Sequence, residues 1–171
     1  MRVLCIISIA LVTAMACKEK PQTRQLSPQE MEEQLIQMNE RMTGQEKESI
    51  EAYIQEKDWP MDSTGTGLRI WIYEAVAGQK AIPGQVAEVS FVVNLLDGTE
   101  CYRTPEGETR TFKVEQSDVE SGLHEAIQLM SAGDKAKIIL PSHLAYGLAG
   151  DLNKIPLKST LVYDITLHSL R

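Results

Sequence analysis

The stretch from Leu123 to Gly147 constrains the fold of this chain more than any other. It opens with Leu123, Ile127 and Met130, whose helical spacing predicts a short amphipathic helix. Gly133 follows, and glycine tolerates the left-handed conformation that ends many helices. Residues 135–140 then alternate polar and apolar side chains, as a half-buried strand does. A short helix that leads directly into such a strand is expected to pack its apolar face against the sheet containing that strand.

Further strands are predicted on both sides of this stretch. Asp97-Gly98 is typical of a tight hairpin turn, and Ser117-Asp118 is expected to cap the helix. No βα unit is repeated. We therefore predict an α+β fold in which a twisted antiparallel β-sheet wraps around one short α-helix, preceded by an N-terminal helical segment. The strands are predicted at residues 68–76, 86–96, 99–103, 111–114 and 160–170.

The N-terminal helical segment is predicted at residues 27–60. Ser27 and Glu30 have the spacing of a capping box. The apolar residues Met31, Leu35, Met38 and Met42 then share one helical face. Thr43-Gly44-Gln45-Glu46 indicates a break or a second capping box, so we expect one broken helix or two short ones. The methionine-rich face either packs on its own domain or mediates self-association, and the sequence leaves both open.

The first residues resemble a targeting segment. Residues 3–14 are apolar but too short to span a bilayer, and Ala14-Met15-Ala16-Cys17 has the form of a lipobox. We predict a lipoprotein signal peptide at residues 1–16, lipidation of Cys17 and a tether at residues 17–26. The alternative is an ordinary signal peptide that is cleaved after Ala16.

Charge and cysteine content exclude several classes of function. The net charge of −7 disfavours nucleic acid as a partner, because phosphate binding requires a basic face. Once Cys5 leaves with the signal peptide and Cys17 carries lipid, Cys101 has no partner for a disulfide. The histidines do not have metal-ligand spacing, and we expect neither a metal nor a cofactor.

The segment Leu-x-x-Met-x-x-Gly-x-Lys-x-x-x-x-x-Pro, followed by Leu144-Ala145-Tyr146-Gly147, resembles the FKBP-type peptidyl-prolyl isomerases. Residues 83–98 upstream and Leu161-Val162-Tyr163-Asp164 downstream extend the resemblance, which implies an FKBP-like domain at residues 67–171. The lipoprotein start and the acidic helical segment are most similar to the FKBP-like lipoproteins associated with gliding motility. Such a domain implies catalysis of prolyl bond rotation without any reactive group.

By this resemblance, the Tyr146 hydroxyl is the catalytic hydrogen-bond donor. The resemblance also implies a substrate-binding pocket, whose positions in this chain are Phe91, Cys101, Tyr102, Val119, Glu120, Leu123, Ile155 and Tyr163. Phe91 and Tyr163 lie on the inward faces of their predicted strands.

Several of these positions depart from the family pattern. Cys101-Tyr102 stands where the family commonly has Phe-Asp, Glu120 replaces an isoleucine, and Arg110 aligns with a pocket aromatic. Two hypotheses therefore remain. The first is a membrane-anchored prolyl isomerase that acts on proline-containing polypeptides and assists folding of envelope proteins, at the outer membrane facing the periplasm. The second is a catalytically weak or inactive binding or chaperone module in motility or secretion assembly.

Overall fold

The computed structural model describes residues 26–171. The predicted signal peptide, Cys17 and all of the tether except Leu26 lie outside the described residues. The described part falls into two units, one ending at Gln37 and the other spanning Met38–Arg171. The helices are α1 (Pro28–Lys57) and α2 (Ser121–Gln128), with a 3₁₀ helix at Ser142–Leu144. The strands are β1 (Asp62–Ser63), β2 (Arg69–Glu74), β3 (Val86–Leu95), β4 (Glu100–Arg103), β5 (Arg110–Lys113), β6 (Lys135–Leu140) and β7 (Leu161–Leu170).

All seven strands form one antiparallel sheet in the order β1-β2-β6-β7-β3-β4, with β5 also paired to β3. The long strand β3 pairs with β7 on one side, from Ala87–Leu170 to Leu95–Leu161. On its other side, β5 pairs with the first half of β3 and β4 with the second half. The predicted α+β class and the predicted strands are confirmed, with ends that differ by one or two residues.

The main core lies between α2 and one face of this sheet. Leu123, Ala126, Ile127 and Met130 of the helical stretch are buried there, as its spacing predicts. The inward residues of β3, β6 and β7 complete this core, and Val89, Ile138, Leu161 and Leu167 are fully buried. Burial of a large aliphatic side chain contributes about 1.5–3 kcal/mol, so this cluster is a principal source of stability.

Our prediction of the α2 cap is wrong. The helix begins at Ser121 and Glu120 occupies the N-cap position, without a side-chain capping bond. Ser117 instead accepts a hydrogen bond from the Lys113 backbone N–H, and Ser117 and Asp118 lie in the turn before the helix. Gly122 lies in the first turn of α2, and a Cβ atom there would lie 2.7 Å from Leu140 Cδ2 and 2.9 Å from the Leu144 carbonyl oxygen. Only glycine allows the first turn of α2 to approach the sheet so closely.

The predicted break in the N-terminal helix is also wrong, because α1 is one continuous helix of 30 residues. The capping box at its start is present: Ser27 N–H donates to Glu30 Oε2, and Glu30 N–H donates to Ser27 Oγ. At Thr43 there is no second cap, since its hydroxyl donates to the Asn39 carbonyl one turn back, inside the helix.

The C-terminal half of α1 packs on the other face of the sheet. Ile50 is 2% exposed and lies against Ile139 and Val162, whose side chains point away from the main core. Arg69, also buried, donates to Glu51 Oε1 at 2.6 Å. The stretch Met38–Lys57 therefore belongs to the second unit, together with the sheet. In the first unit, Met31 and Leu35 remain about half exposed.

Candidate active site

A hollow of about 390 Å³ lies between β3, β5, α2 and the loop that carries Tyr146. The rings of Phe91, Tyr146 and Tyr163 share this hollow, although they come from three distant parts of the sequence. Seven of the nine site residues implied by the sequence resemblance line it: these three and Tyr102, Val119, Glu120 and Leu123.

The deep wall of the hollow is apolar. The rings of Phe91 and Tyr163 meet edge to face, with centroids 5.8 Å apart, as aromatic pairs prefer. Tyr163 and Leu123 are almost fully buried, at 3% and 4% exposure. Alternation along β3 and β7 places the two rings on the same side of the sheet, over the N-terminal turn of α2. A group that enters this hollow therefore leaves water for an aromatic and aliphatic surface.

Tyr146 is held over the hollow by a tight loop after β6. Pro141 ends the strand, and the 3₁₀ helix Ser142–Leu144 reverses the chain. The N–H groups of Ala145 and Gly147 both donate to the Ser142 carbonyl, at 3.1 and 2.8 Å. Tyr146 lies between these two anchored residues and is 38% exposed, so its ring can contact both the hollow and a bound molecule.

Burial and the carboxylate of Glu120 raise the pKa of both tyrosines, and this carboxylate binds one of them. The Tyr163 hydroxyl donates to Glu120 Oε1 at 2.9 Å. Burial, together with the nearby Glu120 charge, raises the pKa of Tyr163 well above its ordinary value. Burial also raises the pKa of Tyr146, and the nearby Glu120 carboxylate raises that pKa further. Both tyrosines therefore stay protonated and can act as donors at any physiological pH.

Tyr102 makes a second hydroxyl–carboxylate pair at the edge of the hollow, because its hydroxyl donates to Asp151 Oδ2. This hydrogen bond raises the pKa of Tyr102. The other carboxylate oxygen of Asp151 accepts from the backbone N–H groups of Asn153 and Ile155, at 2.9 and 2.7 Å. Burial alone would raise the pKa of Asp151, but these bonds outweigh it and the pKa is lowered.

Cys101 and Ile155 do not line the hollow. Both are buried in the main core, at 1% and 3% exposure, and Cys101 Sγ points towards the Lys154 carbonyl. Residues that we did not predict also contribute to the lining: Val93, Arg103, Thr111, Phe112 and Asp118. The alternation of β3 could have indicated Val93, whereas no pattern in the sequence points to Asp118 or to Asp151.

This arrangement combines an apolar wall with hydroxyl donors at the rim of the hollow. Within residues 26–171, no group of three His, Cys, Asp or Glu side chains is placed to hold a metal ion. No helix in this part of the chain has the length and hydrophobicity required to cross a membrane. A hollow with an apolar wall and hydroxyl donors can bind a polypeptide segment and stabilise a particular conformation of it.

Comparison with known proteins agrees with this chemistry. The model of the family "FKBP-type peptidyl-prolyl cis-trans isomerase" matches residues 77–168. The FKBP-type isomerase FkpA of Aeromonas hydrophila is 37% identical over 106 residues, which cover 61% of this chain and 38% of that protein. The outer membrane protein MIP of Legionella longbeachae is 35% identical over 107 residues, covering 62% of this chain and 45% of that protein. The chain thus spans less than half the length of these relatives.

The fold is also similar to solved structures. The crystal structure of FkpA from Escherichia coli superposes with a TM-score of 0.65 at 28% identity, covering 85% of this chain and 74% of that one. A peptidyl-prolyl cis-trans isomerase from Pseudomonas syringae also gives a TM-score of 0.65, at 26% identity over 77% of this chain and 94% of that one. Because the family model covers more than half of the sequence, the chain belongs to the family of FKBP-type peptidyl-prolyl cis-trans isomerases.

Proposed function

We propose that this protein is a peptidyl-prolyl cis-trans isomerase that acts on proline-containing polypeptides. The single observation that supports this most strongly is the convergence of Phe91, Tyr146 and Tyr163 on one hollow. The conjugated amide resists rotation with a barrier of about 18–20 kcal/mol, and the twisted state has lost this conjugation. A site that binds the twisted state better than either planar isomer lowers the barrier without any covalent step.

In this mechanism the prolyl ring enters the apolar wall formed by Phe91, Leu123 and Tyr163. The surrounding surface removes water from the amide, and water stabilises the planar, more dipolar form. The Tyr146 hydroxyl donates to a substrate carbonyl and holds the segment in a turn. The Glu120 backbone N–H makes no hydrogen bond to another backbone group of residues 26–171 and supplies a second donor.

The altered positions support a second candidate, a binding or chaperone module with weak or no catalysis in motility or secretion assembly. Tyr102, Glu120 and Arg110 all face the hollow, where the family commonly has an aspartate, an isoleucine and an aromatic residue. Such a module would bind proline-containing segments without accelerating their isomerisation.

Exchange spectroscopy by NMR on a short prolyl peptide separates these candidates. The isomerase predicts faster cis/trans exchange in the presence of the protein, and it predicts that Tyr146→Phe reduces this acceleration. Loss of one net hydrogen bond corresponds to about a two- to tenfold reduction. Tyr73→Phe is the matched control, because Tyr73 donates to Asp164 on the opposite face of the sheet. Peptide binding without faster exchange, for several residues preceding proline, would favour the binding module.

We also propose that Cys17 is lipidated and anchors the protein in the cell envelope, at the outer membrane facing the periplasm, where it assists the folding of envelope proteins. The Ala-Met-Ala-Cys sequence and the family relationship to a protein named outer membrane protein MIP support this location. Self-association through α1 is proposed as well, since Met31, Leu35 and Met38 are each about half exposed. A monomer at all concentrations in sedimentation equilibrium would exclude it.

A further inference from the structure

A glutamate of the N-terminal helix spans the two ends of the loop that carries the candidate catalytic tyrosine. Glu46 lies in the C-terminal half of α1 and contacts the connection between β6 and β7. Its Oε1 accepts from the Ser142 backbone N–H at 2.6 Å and from the Thr160 hydroxyl at 2.8 Å. Its Oε2 accepts from the Ser142 hydroxyl at 3.0 Å. One carboxylate thus satisfies three donors on two segments.

The two segments are the beginning and the end of the loop between β6 and β7. Ser142 follows β6 directly after Pro141, and Thr160 immediately precedes β7. Everything between them, including Tyr146, is held at both ends by Glu46. Only one residue separates Glu46 from the segment that carries Tyr146. The N–H of Ser142 donates to Glu46, and the carbonyl of Ser142 accepts from the N–H groups of Ala145 and Gly147 on either side of Tyr146.

Burial makes these contacts expensive to lose. Ser142 is 4% exposed and Thr160 is 6% exposed, so water does not readily replace the carboxylate. The Ser142 N–H is also the first donor of the 3₁₀ helix, which has no partner within that helix. Without Glu46, these donors stay buried and unsatisfied unless the loop moves to expose them. Such a movement relieves the cost of the unsatisfied donors and displaces Tyr146.

We propose that Glu46 is a positioning residue for Tyr146, and that the C-terminal half of α1 is therefore a working part of the isomerase site. This inference rests on the proposed function, because it assigns Glu46 a role in the same reaction. Glu46 touches no substrate. It acts through Ser142 and Thr160, which fix the position of the loop and so of Tyr146 relative to the hollow. A displacement of a catalytic group by about 1 Å can lower the rate of reaction by up to about 100-fold.

The geometry predicts an unusual order among substitutions in the full-length chain. Glu46→Gln retains most activity, since one amide oxygen can accept from Ser142 N–H and Thr160, and its NH₂ can donate to the Ser142 hydroxyl. Glu46→Asp keeps the charge but is one methylene too short to reach. We expect kcat/KM to fall about three- to tenfold for Glu46→Asp and Glu46→Ala, and less than twofold for Glu46→Gln. Glu48→Asp, on the exposed side of the same helix, controls for helix propensity.

A double substitution separates positioning from general stability. If Glu46 acts through Tyr146, Glu46→Ala has little further effect on kcat/KM in a Tyr146→Phe protein, whereas independent losses multiply. Multiplication, or full activity of Glu46→Asp, would overturn the proposal. If the unaltered protein shows no isomerase activity, the proposed function fails and amide hydrogen exchange becomes the test. Glu46→Ala should then speed exchange at Ser142 and Gly147 relative to Glu48→Ala, and unchanged protection there would refute the role of Glu46.

Discussion

Replacement of Glu120 by isoleucine tests whether this carboxylate is a structural partner of Tyr163. The Tyr163 side chain is 3% exposed, and its hydroxyl donates to Glu120 Oε1 at 2.9 Å. Glu120→Ile restores the residue type common in the family but removes this acceptor. A buried hydroxyl left without a partner costs about 1–3 kcal/mol, and we expect the free energy of unfolding to fall by that amount.

The same reasoning predicts a different free energy of unfolding for each variant in a double-mutant cycle of Glu120 and Tyr163. Tyr163→Phe leaves Glu120 without one donor, but Glu120 is only partly buried and water can replace the hydroxyl, so the loss is about 0.5–1.5 kcal/mol. The double variant Glu120→Ile/Tyr163→Phe replaces both partners by apolar groups, and we expect its stability within about 1 kcal/mol of the unaltered protein. The two single losses therefore do not add.

Urea unfolding followed by tryptophan fluorescence measures these values. Trp59 and Trp71 lie on the other face of the sheet, with their ring centroids 6.3 Å apart. Their fluorescence therefore reports unfolding without direct contact with Glu120 or Tyr163. The four proteins should share one m-value and differ only in midpoint. The reasoning is refuted if Glu120→Ile is as stable as the unaltered protein, or if the double variant loses the sum of both single effects. Isomerase activity adds a second readout, because Glu120→Ile removes the carboxylate near the Tyr146 hydroxyl, leaves that hydroxyl to donate to substrate, and should raise kcat/KM.

The remaining predictions concern pH and the lipid anchor. Because the pKa of Asp151 is below its ordinary value of 3.8 in the folded protein, its ionisation contributes stability that is present above that value and lost as the pH falls through the folded-state pKa. Asp151→Asn should make the unfolding midpoint less dependent on pH below about 4. The same slope of midpoint against pH in the variant and the unaltered protein would contradict this. Metabolic labelling with a fatty-acid analogue should mark the protein, and Cys17→Ala should abolish the label. Retained label after that substitution would disprove the anchor.

The strands were predictable from sequence because one face of each is buried. The alternation in residues 86–96 and 160–170 places Val89, Val93 and Tyr163 inward, and the structure buries all three. A two-residue period of this kind is a direct consequence of the pleat and depends little on distant parts of the chain. The stretch Leu123–Met130 was predictable for the same reason, with the helical period instead.

The start of α1 was predictable from its capping box, but its continuation past Thr43 was not, because tertiary contacts override the local capping signal there. Thr43 and Glu46 have capping-box spacing, but the Glu46 carboxylate binds Ser142 and Thr160, which are 96 and 114 residues away in sequence. With Glu46 engaged there and Ile50 buried against the sheet, the helix continues through Gly44. Local sequence contains no information about partners at such separations.

The candidate site also has a part that was predictable from the sequence and a part that was not. Seven lining residues followed from the family resemblance, but the two hydroxyl–carboxylate pairs did not. Glu120 and Tyr163 are 43 residues apart, and Tyr102 and Asp151 are 49 apart. From the sequence alone, Glu120 and Tyr102 appear as losses of an apolar group and of a carboxylate, because their partners cannot be identified without the fold.

Tyr102 and Glu120, the two departures that bring a hydroxyl and a carboxylate to the hollow, each have a hydrogen-bond partner. A buried polar group without a partner costs about 1–3 kcal/mol. Among the described residues, no buried side-chain nitrogen or oxygen lacks a hydrogen-bond partner. Glu120 lines the hollow beside the apolar side chains of Val119 and Leu123, and the Tyr163 hydroxyl donates to its carboxylate. The Tyr163 hydroxyl is costly to bury alone and is stabilised by the Glu120 carboxylate, so Glu120 is best understood as the partner that allows this hydroxyl to be buried beside the hollow.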